Sequence, residues 1–333
     1  MTEKLLTLFV EELHQMVAAI DKTHRFPALE QLFSRGRVHS IQAQSANHLR
    51  FKFFGIEPKG LLPIAALTHV SDRTTDPDND YYWLRTDPVT LWADMAQVFM
   101  TSHGFADLDP YERNEIENCI RSVLMEEGVD MHSDHPERWC IALNAPLGFE
   151  FKTLDDAMGM DMVDALPQHP EALYWRRILN EIQVALHHCP INIKRRQSGK
   201  QEINSVWFWG GGFIPEAGPR DLVDTVYSNN PATRGLAIIN DCKLNNQNIA
   251  AEGRFDRDGR SILVDWVPVT AYAEEELEQL EVLTRQLLKL ADAGELVLNL
   301  VQGNGDGRLY NHRSRRRFWK RRVPLAQPAA VSG

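Results

Sequence analysis

"EINSVWFWGGGFIPEAG", residues 202–218, sets three aromatic side chains beside three consecutive glycines. Val206, Trp207, Phe208 and Trp209 make a continuous apolar run, the pattern of a strand covered on both faces, so 203–209 reads as a central strand. Glycine triplets cost chain entropy, and a fold keeps one where φ is positive or where something must approach the backbone closely. Two readings follow. Either the glycines let a tryptophan pack under a tight turn, or their bare amides at a strand end face a phosphate or carboxylate. A dinucleotide fingerprint is excluded, because Pro215, Gly218 and Pro219 forbid the helix that would have to begin there.

Upstream, 171–188 has helical spacing, with Trp175, Ile178, Leu179, Ile182, Ala185 and Leu186 on one face and Pro190 closing it. Asn180, Gln183 and His187 recur on the opposite face. They are either a solvated face or a ligand-facing one. Because only the basic turn INIKRRQSGK separates helix from strand, Asn180 and Gln183 are expected to border one cleft with Asn204, Trp209, Gly210, Gly211 and Gly212.

Downstream, 235–239 and 261–269 read as strands, 273–293 as a helix with acids in its first turn and Gly294 beyond its end, and 296–301 with 308–312 as a hairpin. Towards the amino terminus, Leu5, Leu6, Phe9, Leu13, Met16, Val17 and Ile20 suit one helix face, so the first 40 residues read as helical, broken at Pro27. YYWLR and VTLWADMAQVFM follow a polar loop at 71–80 as strands; Asp109, Pro110 and Glu112 start a helix that Gly128 ends. The irregular MGMDMVDALPQHP divides the chain into an amino-terminal α+β portion, 1–160, an α/β portion, 161–325, and a flexible tail, 326–333.

Composition is that of a globular protein, with 43% hydrophobic and 25% charged residues, and no run reaches the roughly 18 apolar residues of a membrane span. The amino terminus lacks a signal-peptide pattern, which makes the cytoplasm the expected location. The four cysteines are widely spaced and read as reduced thiols rather than zinc or redox pairs. The net charge of −10 conceals RSRRRFWKRR, 313–322, whose seven cations leave −17 on the rest. Docking of this basic end on the acidic body is expected. Nucleic-acid binding through it, with Phe318 and Trp319 stacking on bases, ranks third among the functional readings.

His132, Asp134 and His135 in MHSDHPERW have metal-ligand chemistry, and His132 with Asp134 shares a strand face, yet no further cluster at helical spacing joins them. A structural role is the simpler reading for them and for the adjacent His187, His188 and Cys189.

YWLRTDPVTLWAD at 82–94, HPERWCIAL, WRRILNEIQVALHHCPIN, INSVWFWGGG and RRFWKRR together resemble, in that order, the bacterial RpfE-type regulatory proteins, which are often labelled phosphoglycerate-mutase-like. NSVWFWGGG is similar to a strand of the archaeal-type cofactor-independent phosphoglycerate mutases of the alkaline-phosphatase superfamily. The resemblance implies an α/β fold whose carboxyl-terminal half is a reduced alkaline-phosphatase-type sheet flanked by helices, preceded by a smaller α+β portion. Those enzymes use two metal ions, such as manganese or magnesium, to clamp a phosphoryl group. Their early Asp-Gly motif has no counterpart here, and the strand SILVDWVPVTAYA offers Asp265 where a histidine-rich segment is expected. The expectation is a non-catalytic regulatory or small-anion-binding protein with no cofactor. The alternative is a divalent-metal-dependent phosphomutase or phosphohydrolase ligated by His132, Asp134, His135 and Asp265.

Overall fold

The computed structural model describes residues 4–21, 23–58, 60–73, 80–95, 97–103, 105, 107–248, 259–270, 272–317, 319–320 and 324–325. The chain forms two compact units, one from Met1–Pro58 and Glu216–Gly333, the other from Lys59–Pro215. This division differs from the expected one at residue 160. A boundary read from composition follows the chain, whereas here the first strand lies in the middle of a sheet completed by the last third.

That strand is β1 (Lys4–Val10), which pairs in parallel with β10 (Ser261–Trp266) on one side and β11 (Leu296–Gln302) on the other. Beyond β10 lie β8 (Thr225–Ser228) and β9 (Lys243–Asn245), both parallel; beyond β11 lie β12 (Asp306–Tyr310) and the edge strand β2 (Arg37–Ser40), both antiparallel. The expected helix over the first residues is thus a strand up to Val10. A strand covered on both faces loses its alternation, and the run LLTLFV fits helical spacing as well as it fits a buried strand. Leu6, Leu8 and Val10 pack with Val264, Leu298 and Leu300 against Leu277, Leu280, Leu283 and Leu287 of the helix Ala273–Ala293. That helix ends as expected, with Gly294 at φ +78°. On the other face of β1, Phe9 meets Phe53 of the helix Ala46–Phe53 edge-on at 5.3 Å.

The expected strand at 235–239 is also corrected. Asn230 accepts from the amides of Ala232 and Thr233, and Pro231 takes the first turn, so Pro231–Ile239 is a helix.

The second unit holds an antiparallel sheet. The long β3 (Tyr82–Ala93) pairs with β4 (Val98–His103), β6 (Arg138–Leu143) and β7 (Ser205–Gly212), and β5 (Asp130–His135) extends it beyond β6. The helix Pro110–Glu126 is capped by Asp109, which accepts from the amides of Tyr111 and Glu112, and it packs with the helix Ala172–His188 through Ile116, Ile120, Leu124, Ile178 and Ile182. The basic INIKRRQSGK is mostly the helix Pro190–Gln197 rather than a turn. The quoted strand therefore belongs to an antiparallel sheet beside β3, outside the parallel one. The rule that places ligands at the carboxyl ends of parallel strands does not reach it. Among the described residues no helix is long and apolar enough to cross a membrane.

Candidate functional site

In an open parallel sheet the reactive groups gather at the carboxyl ends of the strands. In the first unit that position holds one buried polar cluster. Asp265 in β10, with no exposed surface, sits opposite Phe9 of β1 and Ser228 of β8. The helix Ala46–Phe53 sends Arg50 into the same place: Nε donates to Asp265 Oδ2 at 3.0 Å and Nη2 to Oδ1 at 3.3 Å. Nη2 also donates to Glu11 Oε2 at 2.7 Å, one residue beyond β1, and Nη1 to Asn47 Oδ1 at 2.9 Å. Ser228 Oγ donates to Asp265 Oδ2 at 3.4 Å, and the Thr233 hydroxyl donates to the same oxygen. Asp265 thus accepts from three side chains. Burial disfavours the charge of Arg50, yet the carboxylates of Asp265 and Glu11 outweigh it and hold its pKa above the ordinary arginine value.

Of this cluster the sequence reading singled out Asp265 alone. Arg50 stands between two buried apolar residues, Leu49 and Phe51, and a lone arginine in such a run was the available signal. Glu11, Ser228 and Thr233 carry none, since only the sheet order brings them together.

The neighbour of the glycine triplet is the protein itself. Trp83 lies opposite Gly212 and Arg85 opposite Trp209, so β7 spends one residue more than β3 between these pairs. Gly210 takes φ +65° there, and a β-carbon on it would be 3.2 Å from Ile64 Cβ. A β-carbon on Gly211 would lie 2.8 Å from Tyr82 Cε1, and one on Gly212 2.8 Å from Pro63 Cα. Trp209 Nε1 donates to Asp87 Oδ2 at 2.7 Å; Asp87 is buried and paired with Arg85, whose Nη1 reaches Thr68 Oγ1 at 3.2 Å.

Asn204 is turned to β3, accepting from the Leu91 amide at 2.7 Å and donating to the Leu91 carbonyl at 2.8 Å. Gln183 donates to Ser205 Oγ at 3.2 Å, so the helix does border the strand. Asn180 is exposed and His187 lies with it on the outer side.

His132 lies in β5 beside His69, ring centroids 5.2 Å apart, and His69 stacks on Trp83 at 3.6 Å. Burial, then the charges of His132 and Arg73, push His69 down to about 3, which leaves a neutral imidazole at neutral pH. Burial likewise pushes His132 and His135 below the ordinary histidine value. His135 Nδ1 accepts from the Glu137 amide at 3.2 Å within its own turn, and Asp134 is exposed. Asp265 belongs to the other unit. Among the described residues no three His, Cys, Asp or Glu side chains are grouped to hold a metal ion.

No protein-family model matches the chain. It is 23% identical over 204 residues to a 2,3-bisphosphoglycerate-independent phosphoglycerate mutase of Methanosarcina acetivorans, which covers 58% of this chain and 49% of that protein. Against the enzyme of the same name from Methanosarcina mazei it is 31% identical over 131 residues, covering 36% of this chain and 32% of the enzyme. The chain thus spans about half the length, or less, of the curated relatives it matches. The solved structure of the PH0037 protein from Pyrococcus horikoshii matches the fold with TM-score 0.55 and 13% identity, over 93% of this chain and 87% of that one. A distant similarity to the cofactor-independent phosphoglycerate mutases and a mixed α/β fold of central sheet and flanking helices are established on these grounds.

Proposed function

We propose that this chain is a non-catalytic regulatory relative of the phosphoglycerate mutases, of the RpfE type. One observation carries the reading: the carboxylate at the centre of the parallel sheet, Asp265, is saturated by Arg50, Ser228 and Thr233. The donor set does not suit a divalent ion. To ligate one, Asp265 would have to release a guanidinium that is itself buried, and an uncompensated buried charge costs several kcal/mol, on the order of 3–5. Arg50 supplies the positive charge at this position. Nor does the reading need an anion at Gly210–Gly212, whose close neighbours are Ile64, Tyr82 and Pro63.

The test is an assay for interconversion of 3- and 2-phosphoglycerate with manganese or magnesium supplied. No turnover above the blank is expected. Turnover that chelation removes and metal restores would overturn the reading. The runner-up, a metal-dependent phosphomutase, draws on the similarity over 204 residues to a mutase. Manganese-dependent turnover that Asp265→Asn abolishes, with unfolding still cooperative, would favour it.

A further inference from the structure

Of the basic stretch 313–322, Arg313, Arg315, Arg316 and Lys320 are exposed without an ion pair among the described residues, Trp319 already has a partner, and Phe318, Arg321 and Arg322 lie outside those residues. The docking of this end on the acidic body, expected from the sequence, is not seen there. Polar groups converge instead in a cavity of about 380 Å³ between the helices Pro27–Arg35 and Ala273–Ala293. Arg285, Leu288, Lys289 and Asp292 recur at i, i+3, i+4 and i+7, so they share one face of the long helix, and Gln31 meets them from the short one. The seam is open where the short helix presents only the small side chains of Pro27 and Ala28.

One end of this cavity is fixed from beneath. Tyr310, with no exposed surface, accepts from Gln31 Nε2 at 3.1 Å and donates to Asp292 Oδ1 at 2.9 Å, which ties the two helices together. Burial, then the bond to Asp292, pushes the Tyr310 pKa above the ordinary tyrosine value, so the hydroxyl keeps the proton it donates. Asp292 therefore has Oδ1 committed and Oδ2 left to accept. The cations are less committed. Lys289 has no ion pair among the described residues, although Asp292 stands three residues further along the same face. Arg285 gives Nη2 to Glu281 Oε1 at 3.1 Å and keeps a side chain 58% exposed, while Glu281 also serves the amides of Ala28 and Leu29. A solvated seam between two helices accounts for one free lysine. It does not account for a carboxylate held in place by a buried tyrosine at one end of a cavity and two cations a turn apart at the other.

We propose that this cavity binds a small hydroxylated phosphomonoester of the size of a sugar phosphate. A phosphate of about −1.5 to −2 charge meets Arg285 and Lys289, whose charge-assisted hydrogen bonds suit it, and a hydroxyl of the ligand donates to Asp292 Oδ2. At 1.5 Å per residue, Arg285 and Asp292 stand about 10 Å apart along the helix, a span that a sugar phosphate bridges and a bare phosphate does not. The volume agrees, since small-molecule sites run to about 300–1,000 Å³. Leu288 and Pro27 line the cavity with apolar surface for the carbon skeleton. The inference uses neither Asp265 nor Arg50 and is independent of the catalytic question.

The experiment is isothermal titration calorimetry of the whole chain at low ionic strength with glucose 6-phosphate and with ribose 5-phosphate. Saturable one-site binding is expected for at least one of them. Lys289→Ala is expected to weaken it at least about tenfold, the worth of one charged hydrogen bond, with the unfolding midpoint of the free protein unchanged, whereas Lys289→Arg keeps most of the affinity. Asp292→Asn leaves Tyr310 an acceptor but replaces the second oxygen by a donor, and it is expected to weaken the sugar phosphate while leaving any weak binding of inorganic phosphate as it was. No saturable heat with either sugar phosphate, equal binding by Lys289→Ala or by Asp292→Asn, inorganic phosphate or glucose bound as tightly as the sugar phosphate, or succinate bound more tightly than it would each overturn the proposal.

Discussion

At the residue scale, Asp265 and Arg50 are the most exacting pair in the molecule, since each is buried and each depends on the other for compensation. Asp265→Ala leaves Arg50 in the interior with only Glu11 to balance it. Chemical denaturation is expected to show a loss of about 3–5 kcal/mol, much of it recovered when Arg50→Met is added, because an apolar pair of similar volume avoids the unpaired charge. His69 makes a separate prediction. Its folded pKa, about 3, lies below the ordinary value near 6.5, so the unfolded chain takes up the proton first. The stability this neutral imidazole contributes is complete above about pH 6.5 and is lost as pH falls towards about 3. His69→Phe, which preserves a ring against Trp83, is expected to flatten the stability profile between those limits, read from unfolding midpoints at a series of pH values. Gly211 shows what a glycine can conceal in a sequence. Its requirement is the Tyr82 ring, a neighbour more than a hundred residues away in the chain. Gly211→Ala is expected to cost about 1–3 kcal/mol through overpacking, with part of the loss relieved by Tyr82→Leu; an unchanged midpoint would contradict this account of the triplet.

At the scale of elements, several boundaries were legible because their determinants are local. Asp109 and Pro110 set one helix start, Gly294 sets a helix end, and the turn at NGDG joins β11 to β12. Other elements rest on partners far along the chain. The helix Pro27–Arg35 has no cap of its own; Glu281, from the helix Ala273–Ala293, accepts from the Ala28 amide at 2.8 Å and from Leu29 at 3.0 Å. Glu281→Ala is expected to lower stability by about 1–2 kcal/mol, the cost of losing a cap, measured by denaturation with Arg285→Ala as a control for the exposed ion pair. Strand β1 failed as a sequence reading for a related reason. Only the flanking β10 and β11, with helices on both faces, decide that LLTLFV is extended.

At the scale of the whole molecule, Lys59–Pro215 is a contiguous segment with a core of its own, including Trp139, Ile141, Ile178 and Phe208. Expressed alone, it is expected to unfold cooperatively by circular dichroism, whereas Met1–Pro58 alone has no partners for β1 and is expected to stay unfolded. The sequence by itself determined what local chemistry can determine: helix caps and ends, the apolar faces of the long helices, the hairpin near the carboxyl end, and a likeness to the phosphoglycerate mutases that the comparisons support. Tertiary structure alone decided that NSVWFWGGG lies in an antiparallel sheet, that its glycines serve Pro63, Ile64 and Tyr82, and that Asp265 is held by Arg50. The physical reason is range. Caps and periodicity act over a few residues, while a close approach or a buried ion pair joins positions separated by one or two hundred, and nothing in the chain between them records the meeting.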